Sequence, residues 1–346
     1  MQRVSVALLF VLLSPVVVCA DVIPQPPSPA VISLEPKTGI GAFAFSGDGK
    51  YLAGSSGATA LVWDTTTWKV VRKIKHETVD FLNSVAISPD GKYLATGPYR
   101  RSPRASGVED YVRLWDMKTG KLTKKISVLV HPNRAFRAGV PSISFSKKGD
   151  KVAFIERMTV RVYSVPKLSL DGRSGYIRSG WVDYNEQYLC GADISPDGNW
   201  IAVGSRTGRL RVWDIRKKRS KALLLYDKPG QAEVWSVAFT PDSKKVVFAN
   251  FFSIFVADIE TKKITPLGRH STNDVRTVVI SPDGKYVASA GGEGVRLWRL
   301  SDRKMLRHFR SKSDEFAVAF SPDGRWLALE ISGQPQVWNV PKLVSK

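Results

Sequence analysis

The sequence predicts an all-β fold, a seven-bladed β-propeller, from three observations. A turn phrase recurs seven times, an aromatic-bearing strand follows each copy at a nearly fixed distance, and a lone apolar strand precedes the first copy. Self-similarity at a period of about 40–45 residues is what four-stranded blades produce, because each repeat can bury its faces only against its neighbours.

Ahead of the repeats the chain is of a different kind. Residues 1–20 carry Arg3, an apolar run from Val4 to Leu13, then Pro15, and Val18-Cys19-Ala20 before Asp21. This reads as a secretory signal peptide. The run is shorter than the roughly 20 residues that span a bilayer, and Val18 and Ala20 suit the minus-three and minus-one positions of a cleavage site. Cys19 is a weak candidate for lipid attachment, because Val18 stands where such signals place a small residue. The expected destination is outside the cell or in the periplasm, with no membrane span. Residues 21–30 form a Pro-rich linker through Pro24, Pro26, Pro27 and Pro29, and residues 31–346 form the propeller. Cleavage would leave Cys190 as the one cysteine, so no intramolecular disulfide is expected and packing must hold the fold. With over 300 residues, a chain of this length buries about 75% of its unfolded surface, which suffices.

The turn phrase reads FAFSGDGKYLAG (43–54), VAISPDGKYLATG (85–97), ISFSKKGDKVAF (143–154), ADISPDGNWIAVG (192–204), VAFTPDSKKVVFA (238–249), VVISPDGKYVASA (278–290) and VAFSPDGRWLALE (318–330). The strand after it carries Trp63, Trp115, Tyr163, Trp213, Ala257, Trp298 or Trp338 at one position. From the turn Gly, or Ser243 in the fifth copy, to that position is 14 or 15 residues in six copies and 24 in the second.

Each unit has a physical reading. An apolar strand such as Val85–Ile87 meets Pro89-Asp90-Gly91, where Pro fixes φ, Asp bonds the backbone ahead and Gly accepts φ > 0, so the chain reverses. Asp197-Gly198, Asp283-Gly284 and Asp323-Gly324 repeat the device. A second strand, Tyr93–Thr96, leads to the aromatic strand, and a fourth such as Lys121–Val128 alternates charged and apolar residues, as an exposed edge should. Inner strands read as continuous apolar runs because stacked blades cover both faces.

These phrases resemble WD40 repeats, and the resemblance covers about residues 31–346. It implies that Ala30–Glu35 completes the seventh blade, whose own repeat stops after its third strand at Val340, so that the ring has no open edge. It also implies an Asp six residues before each aromatic, bonded through a His and a Ser to the Trp. Those positions here are Gly57, Glu109, Arg157, Thr207, Phe251, Gly292 and Ser332, so the relay is expected to be absent or remodelled. His76 and His270 then read as partly exposed loop residues.

Chemistry for catalysis is sought and not found. No phosphate loop, H-E-x-x-H or paired-Cys motif occurs, the recurring serines belong to the turn phrase, and His76, His131, His270 and His308 fall in different blades. Asp193 is a carboxylate in an inner strand where an apolar residue is expected, and it reads as a channel-facing, solvated or hydrogen-bonded acid. The expectation is a non-enzymatic, monomeric binding platform without cofactor or metal, engaging a protein partner of acidic character. A second reading is capture of an anionic envelope polymer. A channel-centred hydrolase or lactonase would need companions that Asp193 lacks, and an export signal argues against nucleic acid. The net charge of +21 favours anionic partners, although scattered lysines also protect sheet edges.

Implied by the family's geometry, the loops from fourth to first strands and from second to third strands share a top face. Candidate partner-binding residues there are Tyr99, Arg100, Arg101 and Arg104 in the insertion of the second copy, Arg134 and Arg137, Trp181 and Tyr184 in the 164–190 excursion, and Phe251 and Phe252. Arg and aromatic residues bury large areas at little rotamer cost, although loop aromatics also pack onto their own blades. On the opposite face Lys217, Lys218, Arg219 and Lys221 would form a basic rim.

Overall fold

The computed structural model describes residues 31–77, 81–99, 110–128, 142–156, 159–165, 167, 177–178, 189–216, 223–228, 233–271, 275–311 and 316–345. Among them the chain makes seven four-stranded antiparallel sheets. After β1 (Val31–Ser33), blade 1 is β2 (Ala42–Phe45), β3 (Tyr51–Ser56), β4 (Thr59–Asp64) and β5 (Val70–Lys75). Blade 2 is β6 (Phe81–Ile87), β7 (Tyr93–Tyr99), β8 (Asp110–Asp116) and β9 (Leu122–Val128); blade 3 is β10 (Ile143–Phe145), β11 (Lys151–Glu156), β12 (Thr159–Ser164) and β13 (Ile177–Arg178). Blade 4 is β14 (Leu189–Ile194), β15 (Trp200–Ser205), β16 (Arg209–Asp214) and β17 (Leu223–Asp227); blade 5 is β18 (Val234–Phe239), β19 (Lys245–Asn250), β20 (Ser253–Asp258) and β21 (Ile264–Arg269). Blade 6 is β22 (Val275–Ile280), β23 (Tyr286–Gly291), β24 (Gly294–Arg299) and β25 (Met305–Arg310), and blade 7 has β26 (Val318–Phe320), β27 (Trp326–Ile331) and β28 (Gln334–Asn339).

In blades 2, 4, 5 and 6 the first strand starts ahead of the turn phrase, as β6 shows, because pairing continues into the connection, whereas in blades 3 and 7 it starts with the phrase. The outermost strand of blade 3 comes from within the 164–190 excursion.

The turn phrase works through its hydroxyl and its carboxylate. Ser88 Oγ donates to Asp90 Oδ1 at 2.7 Å and accepts from Tyr93 N at 2.9 Å, while Lys92 N donates to Asp90 Oδ1 at 3.1 Å and Gly91 sits at φ 69°. Burial alone would raise the Asp90 pKa, but the hydrogen bonds from Lys92 and Ser88 outweigh it and hold it to about 2. The same Ser/Thr–Asp clasp recurs at Ser195–Asp197, Thr240–Asp242, Ser281–Asp283 and Ser321–Asp323. In blade 3, where lysines replace Pro-Asp, Ser146 reaches Asp150 instead at 2.7 Å. The recurring serines are structural.

Seven buried clusters lie one between each neighbouring pair of blades, as Leu82, Val85 and Leu94 of blade 2 against Ala53, Val62 and Ile74 of blade 1 illustrate. The repeat tryptophans belong to this packing: Trp63, Trp213, Trp298 and Trp338 are buried, and Trp115 is partly so. β1 pairs antiparallel with β28, Val31 opposite Trp338 and Ile32 opposite Val337, and Leu34 is fully buried between blades 7 and 1. The N-terminal strand thus closes the ring as expected. Beyond β28 the chain forms a short helix, α1 (Val340–Val344), capped by Asn339 accepting from Lys342 N at 3.1 Å. Among the described residues no helix is long and apolar enough to cross a membrane.

Candidate functional site

Most of the candidate binding residues fall outside the described residues: Arg100, Arg101, Arg104, Arg134, Arg137, Trp181, Tyr184 and the basic rim of Lys217, Lys218, Arg219 and Lys221. Tyr99 ends β7 with its backbone opposite Phe81. Phe251 and Phe252 form the turn between β19 and β20, their rings edge to face at 4.2 Å. Phe251 is 38% exposed and sits at φ 50°, the left-handed conformation that Gly57 adopts at the equivalent turn of blade 1. A bulky residue held there costs of order 1 kcal/mol, and its exposure returns little packing.

Consecutive antiparallel strands put those turns, and the connections from one blade to the next, at the same end of the ring. There the innermost strands share a device that sequence reading missed. A register shift leaves one extra residue near the start of β6, β14, β18 and β22, namely Asn83, Cys190, Trp235 and Arg276. Phe316 stands at the same offset before β26. Bulges re-aim side chains. Arg276 Cζ lies 5.4 Å from the Trp235 ring centroid and 5.3 Å from that of Phe316, and Arg206 Cζ, from the turn after β15, lies 5.8 Å from Trp235. Arg206 also pairs with Glu233, Nε to Oε1 at 2.8 Å. Phe251 N bonds Glu233 O at 3.3 Å, which joins the exposed aromatic turn to this ladder. The result is an arginine–aromatic arc across blades 4 to 7.

Between blades 6 and 7 an open cleft of about 610 Å³ is lined by Ser271, Glu293, Arg296, His308, Arg310 and Ser332 among others. Its inner wall corrects the expectation for His270. That residue is fully buried, with Nε2 2.8 Å from Ser289 Oγ, which accepts from Trp298 Nε1 at 2.8 Å, and Nδ1 3.3 Å from Glu293 Oε1. The Trp–Ser–His–carboxylate relay therefore exists in blade 6. Its carboxylate stands five residues before the tryptophan, one place later than the position that Gly292 occupies. Burial would raise the Glu293 pKa, but bonds from His270 and Ser271 and the charge of Arg296 bring it to about 2. Burial lowers that of His270.

His76 is also buried, not loop-exposed, and its pKa falls to about 3 through burial and the charge of Arg113, whose Nη1 is 3.2 Å from Nδ1. In blade 2 Trp115 Nε1 bonds Thr96 Oγ1 at 3.0 Å with the His76 ring edge-on at 5.1 Å, so the relay is remodelled there. Nor are the histidines segregated by blade: His270 leads into blade 6 and His308 lies on its outer strand, Nε2 3.2 Å from Glu293 O.

Asp193 is tied, not free. It accepts from Ser144 Oγ at 3.1 Å and from Phe239 N at 3.0 Å, linking the innermost strands of blades 3, 4 and 5. Burial lifts its pKa to about 6 against those bonds. Among the described residues no group of three or more His, Cys, Asp or Glu could hold a metal ion.

Comparison with known proteins agrees with this architecture. The WD domain, G-beta repeat family matches residues 31–64, 68–116, 174–214 and 261–299. Protein groucho of Drosophila melanogaster is 29% identical over 149 residues, 42% of this chain, and the matched region spans only 20% of that relative's length.

Proposed function

We propose that this chain, a seven-bladed propeller of WD40 repeats, is a non-enzymatic scaffold that captures a protein partner on its top face, outside the cytoplasm after cleavage of residues 1–20. WD40 propellers are commonly interaction scaffolds, and the likeness to Protein groucho supports that class. The observation that carries the reading is the arc in which the guanidinium groups of Arg206 and Arg276 both lie against the buried Trp235 and Arg276 reaches Phe316, flanked by the strained, exposed Phe251. Interfaces concentrate binding energy in such Arg and aromatic side chains. The test is Phe251→Gly: relief of the left-handed strain keeps or raises stability by up to about 1 kcal/mol, while partner capture weakens. Capture at full strength by this variant would place the partner elsewhere.

The net charge of +21 favours a second reading, retention of an anionic envelope polymer through diffuse basic surface. Salt separates the two. Binding to a polyanion falls steeply across a salt series, whereas capture through a largely desolvated Arg–aromatic arc falls far less.

A further inference from the structure

We propose that the outer rim of blades 1 and 2 docks on an anionic lipid bilayer, through a lysine strip in which two apolar side chains stand exposed. The inference is independent of the top-face reading, because contact at the perimeter leaves that face open to a protein.

The strip is built from β5 and β9, each the outermost strand of its sheet, and the turns that lead into them. Lys69, Lys73 and Lys75 of blade 1 and Lys118, Lys121, Lys124 and Lys125 of blade 2 are all exposed, and Arg72 is half-buried. The two halves form one patch: Arg72 Nη2 donates to Lys118 O, and a Cβ on Gly120 would stand 3.7 Å from Arg72 Cδ. Against these eight cations stand Glu77, beyond the end of β5, and Asp64 and Asp116. Asp64 Oδ1 accepts from Thr66 N and Thr67 N, and Asp116 Oδ1 from Thr119 N, so both acids serve their own turns. Lysine on an outer strand often only guards an edge against pairing. Here, among the described outer strands, lysine occurs in β5 and β9 alone, and the equally outer β17 and β21 do without it.

The apolar residues choose between anionic surfaces. Val71 is 39% exposed and Leu122 is 45% exposed, two of the four large apolar side chains exposed among the described residues, and both lie within the strip. A soluble polyanion offers them no apolar phase. A bilayer does: lysine ammonium groups reach the headgroup phosphates while short apolar side chains enter the interface beneath.

The experiment is co-sedimentation of the full chain at low salt with vesicles of phosphatidylglycerol and phosphatidylcholine, and with phosphatidylcholine alone. The parent should bind the mixed vesicles and not the neutral ones. Lys73→Gln, Lys75→Gln, Lys124→Gln and Lys125→Gln together should lower that affinity at least about tenfold, since each cation near an anionic leaflet contributes severalfold. The control removes the same charge from exposed lysines of blades 4 to 6, as Lys228→Gln, Lys244→Gln, Lys263→Gln and Lys304→Gln, and should change it far less. Val71→Ser with Leu122→Ser should weaken vesicle binding about fivefold and leave retention on soluble polyphosphate unchanged. All the substituted side chains are exposed, and each variant should keep the parent's melting temperature. Absence of vesicle binding, or an equal loss in the two lysine variants, would overturn the proposal. So would vesicle binding indifferent to the serine pair, which would assign the strip to a polyanion.

Discussion

At Asp193 burial disfavours a charge that two hydrogen bonds only partly compensate, and the pKa rises from 3.8 to about 6. The folded chain therefore holds the proton more tightly than the unfolded one. Stability from this group is full below about pH 4, falls as pH rises through 6, and is level above. The difference is about 3 kcal/mol, at roughly 1.4 kcal/mol for each pKa unit. Asp193→Asn should flatten that part of the profile, measured as the difference between variant and parent in urea unfolding from pH 4 to 7. Glu293 has the opposite sign. Its folded pKa is depressed, so its contribution is present above about pH 4.5 and lost as pH falls toward 2. Glu293→Gln removes the charge that Arg296, Ser271 N and His270 share, and should cost about 2–3 kcal/mol in the same assay at pH 7. An unchanged midpoint would mean that the wall of the cleft is held by something else.

Among the elements, the turn between β23 and β24 shows what the repeat leaves open. Gly294 sits at φ 105°, and a Cβ there would collide with Phe309 O and Ser311 N of the neighbouring strand and connection. Gly294→Ala should cost about 3 kcal/mol or more in thermal unfolding, against near-neutrality for Gly57→Ala at the open turn of blade 1 beyond its left-handed strain. The blades themselves were legible because hydroxyl, carboxylate and positive-φ residue recur at fixed offsets and act within one turn. The relay in blade 6 was hidden by one place: reading the sixth residue before Trp298 finds Gly292, while Glu293 beside it carries the carboxylate. The arc was hidden for a different reason. Asn83, Cys190, Trp235, Arg276 and Phe316 share an offset but no residue type, and a register shift marks only the first four, while the contacts of Trp235, Arg276 and Phe316 cross from blade to blade. The shared offset ahead of each apolar triplet was the signal available.

For the whole molecule, stability is a closed sum of seven inter-blade clusters, and closure depends on β1. Removing residues 1–35 would strip Leu34 from the cluster between blades 7 and 1 and leave β28 as an unpaired edge. Leu34→Ala alone should cost about 2–5 kcal/mol, and the truncated chain should aggregate as unfolding proceeds, seen by light scattering. A truncated chain that stays monomeric with the parent's melting temperature would mean the ring does not need its N-terminal strand. With the ring closed, the turns and connections of blades 4 to 7 gather Arg206, Trp235, Phe251, Arg276 and Phe316 on one face, far apart in sequence. The most direct test of that gathering as the docking surface is hydrogen exchange of the chain with and without its captured partner. The account predicts slowed exchange at 206–209, 234–236, 251–253 and 275–277. Protection confined to the turns at the opposite end, such as 89–92 and 282–285, with those four segments unchanged, would contradict it.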